Sequence, residues 1–197
     1  MRFLPAAIFA ITAACWIGFG LVFLLRGKPA GGVETKREPA SRWGILLQMI
    51  AFALVWSAPR NPFTPIALMP DWLQLSLGIL TAAVAIITAI WISIAAVRAL
   101  GAQWAFDARL IEGHKLITQG PYRFVRNPIY LAMFGMILST GLAISRWWVL
   151  PIAITLFLIG NAIRIRSEEK LLRESFGAEF EDYARRVPAM LPRIFSS

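Results

Sequence analysis

This chain of 197 residues has a single cysteine and a single histidine. Cys15 has no partner for an internal disulfide. A zinc or iron site built from the usual ligands needs several such residues, so one of each excludes it. Acidic residues are also scarce, 11 against 20 lysines and arginines, for a formal net charge of +9. Charge of either sign is missing from long stretches. Residues 3–25 carry none over 23 positions, and residues 72–97 carry none over 26. Residues 128–145 and 147–163 add 18 and 17, separated only by Arg146, and residues 43–58 add 16. A helix needs about 20 apolar residues to cross a bilayer core, within a range of roughly 17–25. The blocks predict an all-α integral membrane protein with five transmembrane helices, block 43–58 being the shortest. The first block has a longer apolar core than the roughly 7–15 residues of a signal peptide, and it is read as a helix. Cys15 falls inside it as a small packing residue.

The basic residues set the orientation. Successive connections hold five (26–42), one (Arg60), five (98–126) and one (Arg146), and the tail from Arg164 holds seven. Basic residues favour the cytoplasmic side. The alternation predicts an outer N-terminus and a cytoplasmic C-terminus, and it accounts for the basic excess with no nucleic-acid partner. Trp43, Trp72, Trp147 and Trp148 stand at block ends, where amphipathic rings favour the interface. Residues 27–41, rich in glycine, proline and charge, read as a flexible loop. Residues 59–70, with four prolines, read as a short outer loop.

All the candidate chemistry then lies on one face. Residues 101–127 join the third and fourth helices, and the tail follows the fifth. The fourth and fifth helices are joined by almost nothing, so they form an antiparallel hairpin. That hairpin brings Asn127 beside Arg164. His114, Lys115, Tyr122, Arg123, Arg126, Asn127 and Tyr130 come from the loop, and Arg164, Arg166, Glu168 and Glu169 from the tail. Pro128 suits a first helical turn, with Asn127 as its N-cap. The backbone amides behind that cap would suit an anion. Adjacent carboxylates at Glu168 and Glu169, against an apolar helix end, need cations or donors close by. Leu172, Phe176, Phe180, Tyr183 and Val187 follow at helical spacing, a face suited to packing on the hairpin or the lipid interface. Gly177 interrupts that face.

In this layout "GHKLITQGPYRFVRNPIY" and, after an apolar stretch, "RIRSEEKLLRESFGAEFEDYARRVPAMLP" resemble the isoprenylcysteine carboxyl methyltransferase family, with its relatives the phospholipid methyltransferases. The resemblance covers about residues 101–192. It divides the chain into a scaffold of three helices (1–100) and a methyltransferase-like half (101–197). It implies a membrane enzyme that uses S-adenosylmethionine, with the cytoplasmic loop and a C-terminal amphipathic helix forming the site. No strand followed by the glycine-rich fingerprint of a doubly wound fold occurs. The resemblance assigns the cofactor to His114, Lys115, Leu116, Ile117, Tyr122, Asn127, Pro128, Ile129, Tyr130 and Glu168. It assigns Arg164 to orienting the substrate. The family's usual "RHP" is "RNP" here, at Arg126–Pro128. Asparagine keeps the hydrogen bonds of that position but cannot carry a positive charge.

The chemistry of the cofactor suits this inventory. Arg126, Lys115 or helix-start amides would hold its carboxylate, and Glu168, beside Glu169, its ammonium. Tyr122 and Tyr130 would cover the adenine or attract the sulfonium through their ring faces. Methyl transfer asks mainly for alignment, so the lack of a Ser–His or Cys–His pair fits a holder whose cofactor carries the reactivity. The expected acceptor is lipid-like or prenylated and enters from the bilayer. The alternatives are a phospholipid amine, a small thiol, a non-catalytic membrane scaffold, or a reductase using a nicotinamide cofactor.

Overall fold

A computed structural model describes residues 3–25, 34–60, 70–104, 108–111 and 113–191. Helices dominate: α1 (Phe3–Leu24), α2 (Ser41–Ser57), α3 (Asp71–Ile86), α4 (Ser93–Leu100), α5 (Pro128–Ile144), α6 (Val149–Phe176) and α7 (Ala178–Arg186). A wider π-helical turn, Ile87–Ile92, joins α3 to α4, so that Asp71–Leu100 is one continuous rod. Among the described residues, three stretches are long and apolar enough to cross a membrane: Ala6–Leu24, Asp71–Leu100 and Val149–Phe176. The other two blocks form helices of 17 residues each, about 25 Å at 1.5 Å per residue, against a hydrocarbon core of about 30 Å. The structure thus gives three full-length candidate spans where the sequence predicts five. At α5 the reason is local. Pro128 fixes the start, and the chain turns extended at Ser145.

The sequence puts the end of the fifth helix at Arg164, where charge begins. The helix continues. Residues 164–176 are mostly good helix formers, and α6 runs 28 residues to Phe176. Gly177, at φ 48°, ends it and donates its N–H to the Arg173 carbonyl at 2.9 Å. The two halves of the predicted amphipathic face therefore sit on different helices. They still converge, because Phe180, Tyr183 and Val187 of the α7 segment pack with Leu172, Phe176 and the loop residue Leu116.

The protein is not entirely helical. Within the segment read as a flexible loop, Glu34–Arg37 (β1) pairs antiparallel with Arg109–Ile111 (β2), Arg37 opposite Arg109. Three charged residues in four hide this strand from a hydrophobicity pattern. The strand is tied to α6 by Lys36–Glu174 at 3.2 Å, and the adjoining Glu38 by Lys170 at 2.7 Å. Residues 61–69 of the predicted outer loop lie outside the described residues.

Close packing fixes the helices around the site. Ala51 and Val55 of α2, Ile137 of α5, and Ala153 and Phe157 of α6 form one buried cluster. Cys15, Ala85, Ala89 and Met136 form another, between α1, the α3 rod and α5. At the α2–α6 crossing, glycines face each other. A Cβ on Gly44 would lie 2.5 Å from Arg164 Cγ and 2.6 Å from the Gly160 carbonyl. At the opposite end, Arg60 clasps the last turn of α5. Its N–H donates to Ile144 O (2.7 Å), its Nε to Ser145 O (2.8 Å) and its Nη2 to Leu142 O (2.5 Å). A cation on orphan C-terminal carbonyls is a favourable cap.

Candidate active site

The short 3-10 turn Gly120–Arg123 begins at Gly120, whose φ of 62° suits glycine. It buries Tyr122. The Tyr183 hydroxyl donates to the Tyr122 carbonyl at 2.6 Å, docking α7 on the turn. Burial raises the Tyr122 phenol above its ordinary pKa, and the charge of Glu168 adds to this. Burial also pushes the Tyr183 phenol up to about 12, so it stays a donor across the physiological range.

The chain then turns into α5, and the tail closes over the turn. Arg126 donates its N–H to Pro188 O at 2.9 Å, and Asn127 donates to Ala189 O at 3.0 Å. Asn127 stands at the N-cap position, yet its side chain makes no cap bond. Its Nδ2 donates instead to Ala189 O at 2.8 Å, which corrects the capping role expected from sequence. An amide, with a donor and no charge, suits this bond to a carbonyl.

Arg126 is committed to the same closure. Its Nε and Nη2 reach Glu169 at 2.9 and 2.6 Å, and its Nη1 donates to Ala184 O at 2.9 Å and also to Val187 O. The pair expected to face a ligand is thus engaged internally, although both residues still border the cavity. Glu168 points elsewhere. It accepts a hydrogen bond from the Tyr130 hydroxyl and lies 3.9 Å from Arg164 Nη2, one turn earlier on α6. Its side chain is 32% exposed and borders the cavity. The Arg164 guanidinium lies over the Tyr130 ring, 4.8 Å from its centre. Arg164 is only 8% exposed, so it lies buried in the fold, although the sequence puts it at a helix end.

These elements enclose a cavity of about 230 Å³. It is bordered by His114, Lys115, Leu116, Ile117, Tyr122, Arg126, Asn127, Pro128, Ile129, Tyr130, Arg164, Glu168 and Glu169, but not by Arg123 or Arg166, which the sequence also placed on this face. The Nδ1 of His114 is buried with no hydrogen-bond partner among the described residues. Burial lowers the His114 pKa, which keeps the ring neutral near pH 7. The Lys115 backbone is held by the Gln103 amide, N–H to Oε1 at 2.5 Å and Nε2 to carbonyl at 3.1 Å.

Sequence reasoning missed the wall supplied by the N-terminal half. Phe19 and Phe23 of α1 border the cavity with Trp104, and the Phe23 and Trp104 rings meet tilted by 31° with centroids 5.2 Å apart. It also missed Gln48 and Asn161, buried behind Arg164. The signal was present, since each is a polar amide inside an apolar block, a position that is costly unless it has a purpose.

Set against known proteins, this arrangement falls among the methyltransferases. The chain belongs to the phospholipid methyltransferase family, whose model matches residues 77–179, just over half of it. It is 33% identical over 87 residues to protein-S-isoprenylcysteine O-methyltransferase B of Arabidopsis thaliana, covering 42% of each chain. It is 30% identical over 92 residues to methanethiol S-methyltransferase 2 of Bradyrhizobium diazoefficiens, covering 47% of this chain and 34% of that one. A nickel-cobalt-cadmium resistance protein of Alcaligenes xylosoxydans xylosoxydans is 39% identical over 114 residues, 53% of each chain. The chain spans about half the length, or less, of these curated relatives. Among the described residues, no three of His, Cys, Asp and Glu stand together as metal ligands would.

Proposed function

We propose that this protein transfers a methyl group from S-adenosylmethionine to a lipid-like or prenylated acceptor that enters from the bilayer. The observation that carries this reading is the cavity itself, where a partly exposed carboxylate, a buried arginine and an unpartnered imidazole nitrogen meet an aromatic wall. The donor set fits the cofactor. Glu168 faces its ammonium, with Tyr130 holding that carboxylate in place. Lys115 supplies a cation for its carboxylate, since Arg126 is engaged with Glu169. His114 Nδ1 offers a hydrogen bond to a ribose or adenine polar atom, and Leu116 and Ile117 give apolar cover. Bound there, S-adenosylmethionine would supply a methyl group activated on a sulfonium.

The protein's part is alignment and exclusion of water. Arg164, with its guanidinium over the Tyr130 ring, suits a carboxylate acceptor, which it would hold by a charge-assisted hydrogen bond. Phe19, Phe23 and Trp104 suit its hydrocarbon tail. The five apolar helices are read as crossings, with α2 and α5 short and the cavity on the cytoplasmic face, following the basic-residue alternation. A reporter fused at Ser197 and found outside the cell would end this orientation. The halves 1–100 and 101–197 then act as scaffold and catalytic half.

A small thiol is the second reading, favoured by the likeness to the methanethiol enzyme. A phospholipid amine, favoured by the family description, would first have to lose a proton. The test is purified protein with tritiated S-adenosylmethionine, then label transfer to a farnesylated cysteine derivative, phosphatidylethanolamine vesicles or methanethiol. Retention of NADPH in place of S-adenosylmethionine would favour the reductase. Retention of neither ligand would favour the scaffold.

A further inference from the structure

Behind the cavity, Gln48 occupies an unusual position. It is the sole amide side chain in α2, an otherwise almost wholly apolar helix, and it is 2% exposed. An amide buried at that depth is costly unless both its ends are matched. Both are. Its Oε1 accepts from Arg164 Nη1 at 2.9 Å, and its Nε2 donates to Asn161 Oδ1. Asn161 is itself 2% exposed, and its Nδ2 lies 3.3 Å from Met190 Sδ in the tail. Gly44, one turn before Gln48, lets α2 approach the aliphatic stem of Arg164. The arginine is therefore bounded by α2 along its stem and at one end of its guanidinium, by the Tyr130 ring beneath, and by Glu168 at the other end.

We propose that Gln48 is a positioning residue, which sets the direction of the Arg164 guanidinium and thereby the acceptor it orients. This rests on the proposed role of Arg164 in acceptor binding. Glutamine suits the task because it fixes one Nη without a charge that would compete for the guanidinium. Asn161 in turn holds the Gln48 amide the right way round, acceptor end toward Arg164. A merely structural amide would serve only to join α2 to α6, and its loss would lower the melting temperature without changing turnover.

The test compares Gln48→Met, Gln48→Glu and the apolar pair Gln48→Leu with Asn161→Leu, each with Arg164 intact and as Arg164→Lys. S-adenosylmethionine affinity should change by no more than about twofold. With N-acetyl-S-farnesylcysteine as the probe acceptor, Gln48→Met and the apolar pair should lower kcat/KM about tenfold or more, the scale of one lost hydrogen bond to a charged group. Gln48→Glu keeps an acceptor oxygen for Arg164 but adds the charge that competes with an anionic acceptor for the guanidinium, so it too should lower kcat/KM while leaving Arg164 held. In the Arg164→Lys background neither Gln48→Met nor the apolar pair should lower it further, since residues that act through one another are non-additive. Unchanged turnover in Gln48→Met, or losses that multiply across the two sites, would overturn the proposal. Nitrogen-15 spectra of the arginine side chains decide the same point without any acceptor. The Arg164 Nη signals should be distinct in the wild type and in Gln48→Glu, and should merge in Gln48→Met; spectra indifferent to Gln48→Met would overturn the proposal. A wild type that binds no S-adenosylmethionine would defeat the functional reading alone, and those spectra would still decide whether Gln48 directs Arg164.

Discussion

Replacing Arg126 with methionine separates a bracket from a ligand-binding residue. The guanidinium reaches Glu169 through two nitrogens and the Ala184 and Val187 carbonyls through the third. The ion pair is mostly buried, with side chains 13% and 16% exposed. Removing one partner of a buried pair typically costs about 3–5 kcal/mol, because the other charge is left without compensation. The substitution leaves the backbone amides of residues 126 and 127, which donate to Pro188 and Ala189. Their hydrogen exchange therefore reports directly on whether the tail is docked. An opening made easier by that amount should speed their exchange by roughly two to three and a half orders of magnitude, at about 1.4 kcal/mol per factor of ten. The assay is exchange followed by mass spectrometry on peptides spanning residues 124–131, in detergent and without cofactor. Adding Glu169→Gln to Arg126→Met removes the stranded charge and should restore part of the protection. The reasoning fails if Arg126→Met leaves exchange unchanged in the unliganded protein while S-adenosylmethionine affinity falls. Arg126 would then serve the ligand and not the tail.

Four other substitutions, one of them a control, probe different parts of the site. Glu168→Gln should weaken S-adenosylmethionine binding tenfold to a hundredfold, the scale of one charge-assisted hydrogen bond of about 1.5–3 kcal/mol. Glu174→Gln, which alters only an exposed pair with Lys36, should leave the isotherm nearly unmoved, and equal effects would remove Glu168 from the site. Because burial lowers the His114 pKa, the neutral ring stabilises the fold fully above the ordinary value near 6.5. That contribution is lost as pH falls toward and through the lowered value. Melting curves of His114→Gln should lose the wild type's sensitivity in this window, and an identical pH dependence would refute the assignment. Gly44→Ala places a methyl group against Arg164 Cγ and the Gly160 carbonyl. It should cost about 1–3 kcal/mol by overpacking, read as a lower melting temperature, whereas an unchanged one would show that the crossing can relax.

The C-terminal half was legible because its chemistry is written in residues that have no reason to lie in lipid. Tyr122, Tyr130, Arg164 and Glu168 stand at the edges of charge-free blocks, and pairing two of those blocks as a hairpin was enough to bring them together. What was not legible depends on where the chain returns. Arg126 looks like a ligand cation until the turn at Gly177 carries α7 back across it. Asn127 looks like a cap until Ala189 arrives. Arg164 looks like the end of a helix, because charge and membrane exit usually coincide, yet nothing in its neighbourhood breaks an α-helix and α6 runs on. The strand Glu34–Arg37 has no alternation to reveal it. Gln48 and Asn161 could have been found by treating each amide in an apolar block as a question.

The clasp around Arg60 gives α2 a mechanical part. Near one end, α2 is fixed to α6 by the glycine crossing and by Gln48. Just beyond its other end, Pro59 and Arg60 fasten it to the turn between α5 and α6. The hairpin is thereby triangulated, with α2 as the third member of a truss. In such a frame the length of the brace sets the alignment of what it braces, here the level of Tyr130 against Glu168. Inserting one residue between Gln48 and Arg60 would advance one joint by about 1.5 Å and turn it by about 100° relative to the other, so both joints could not close together. The helix that brings no reactive group of its own is then held to a fixed residue count by the two joints it spans.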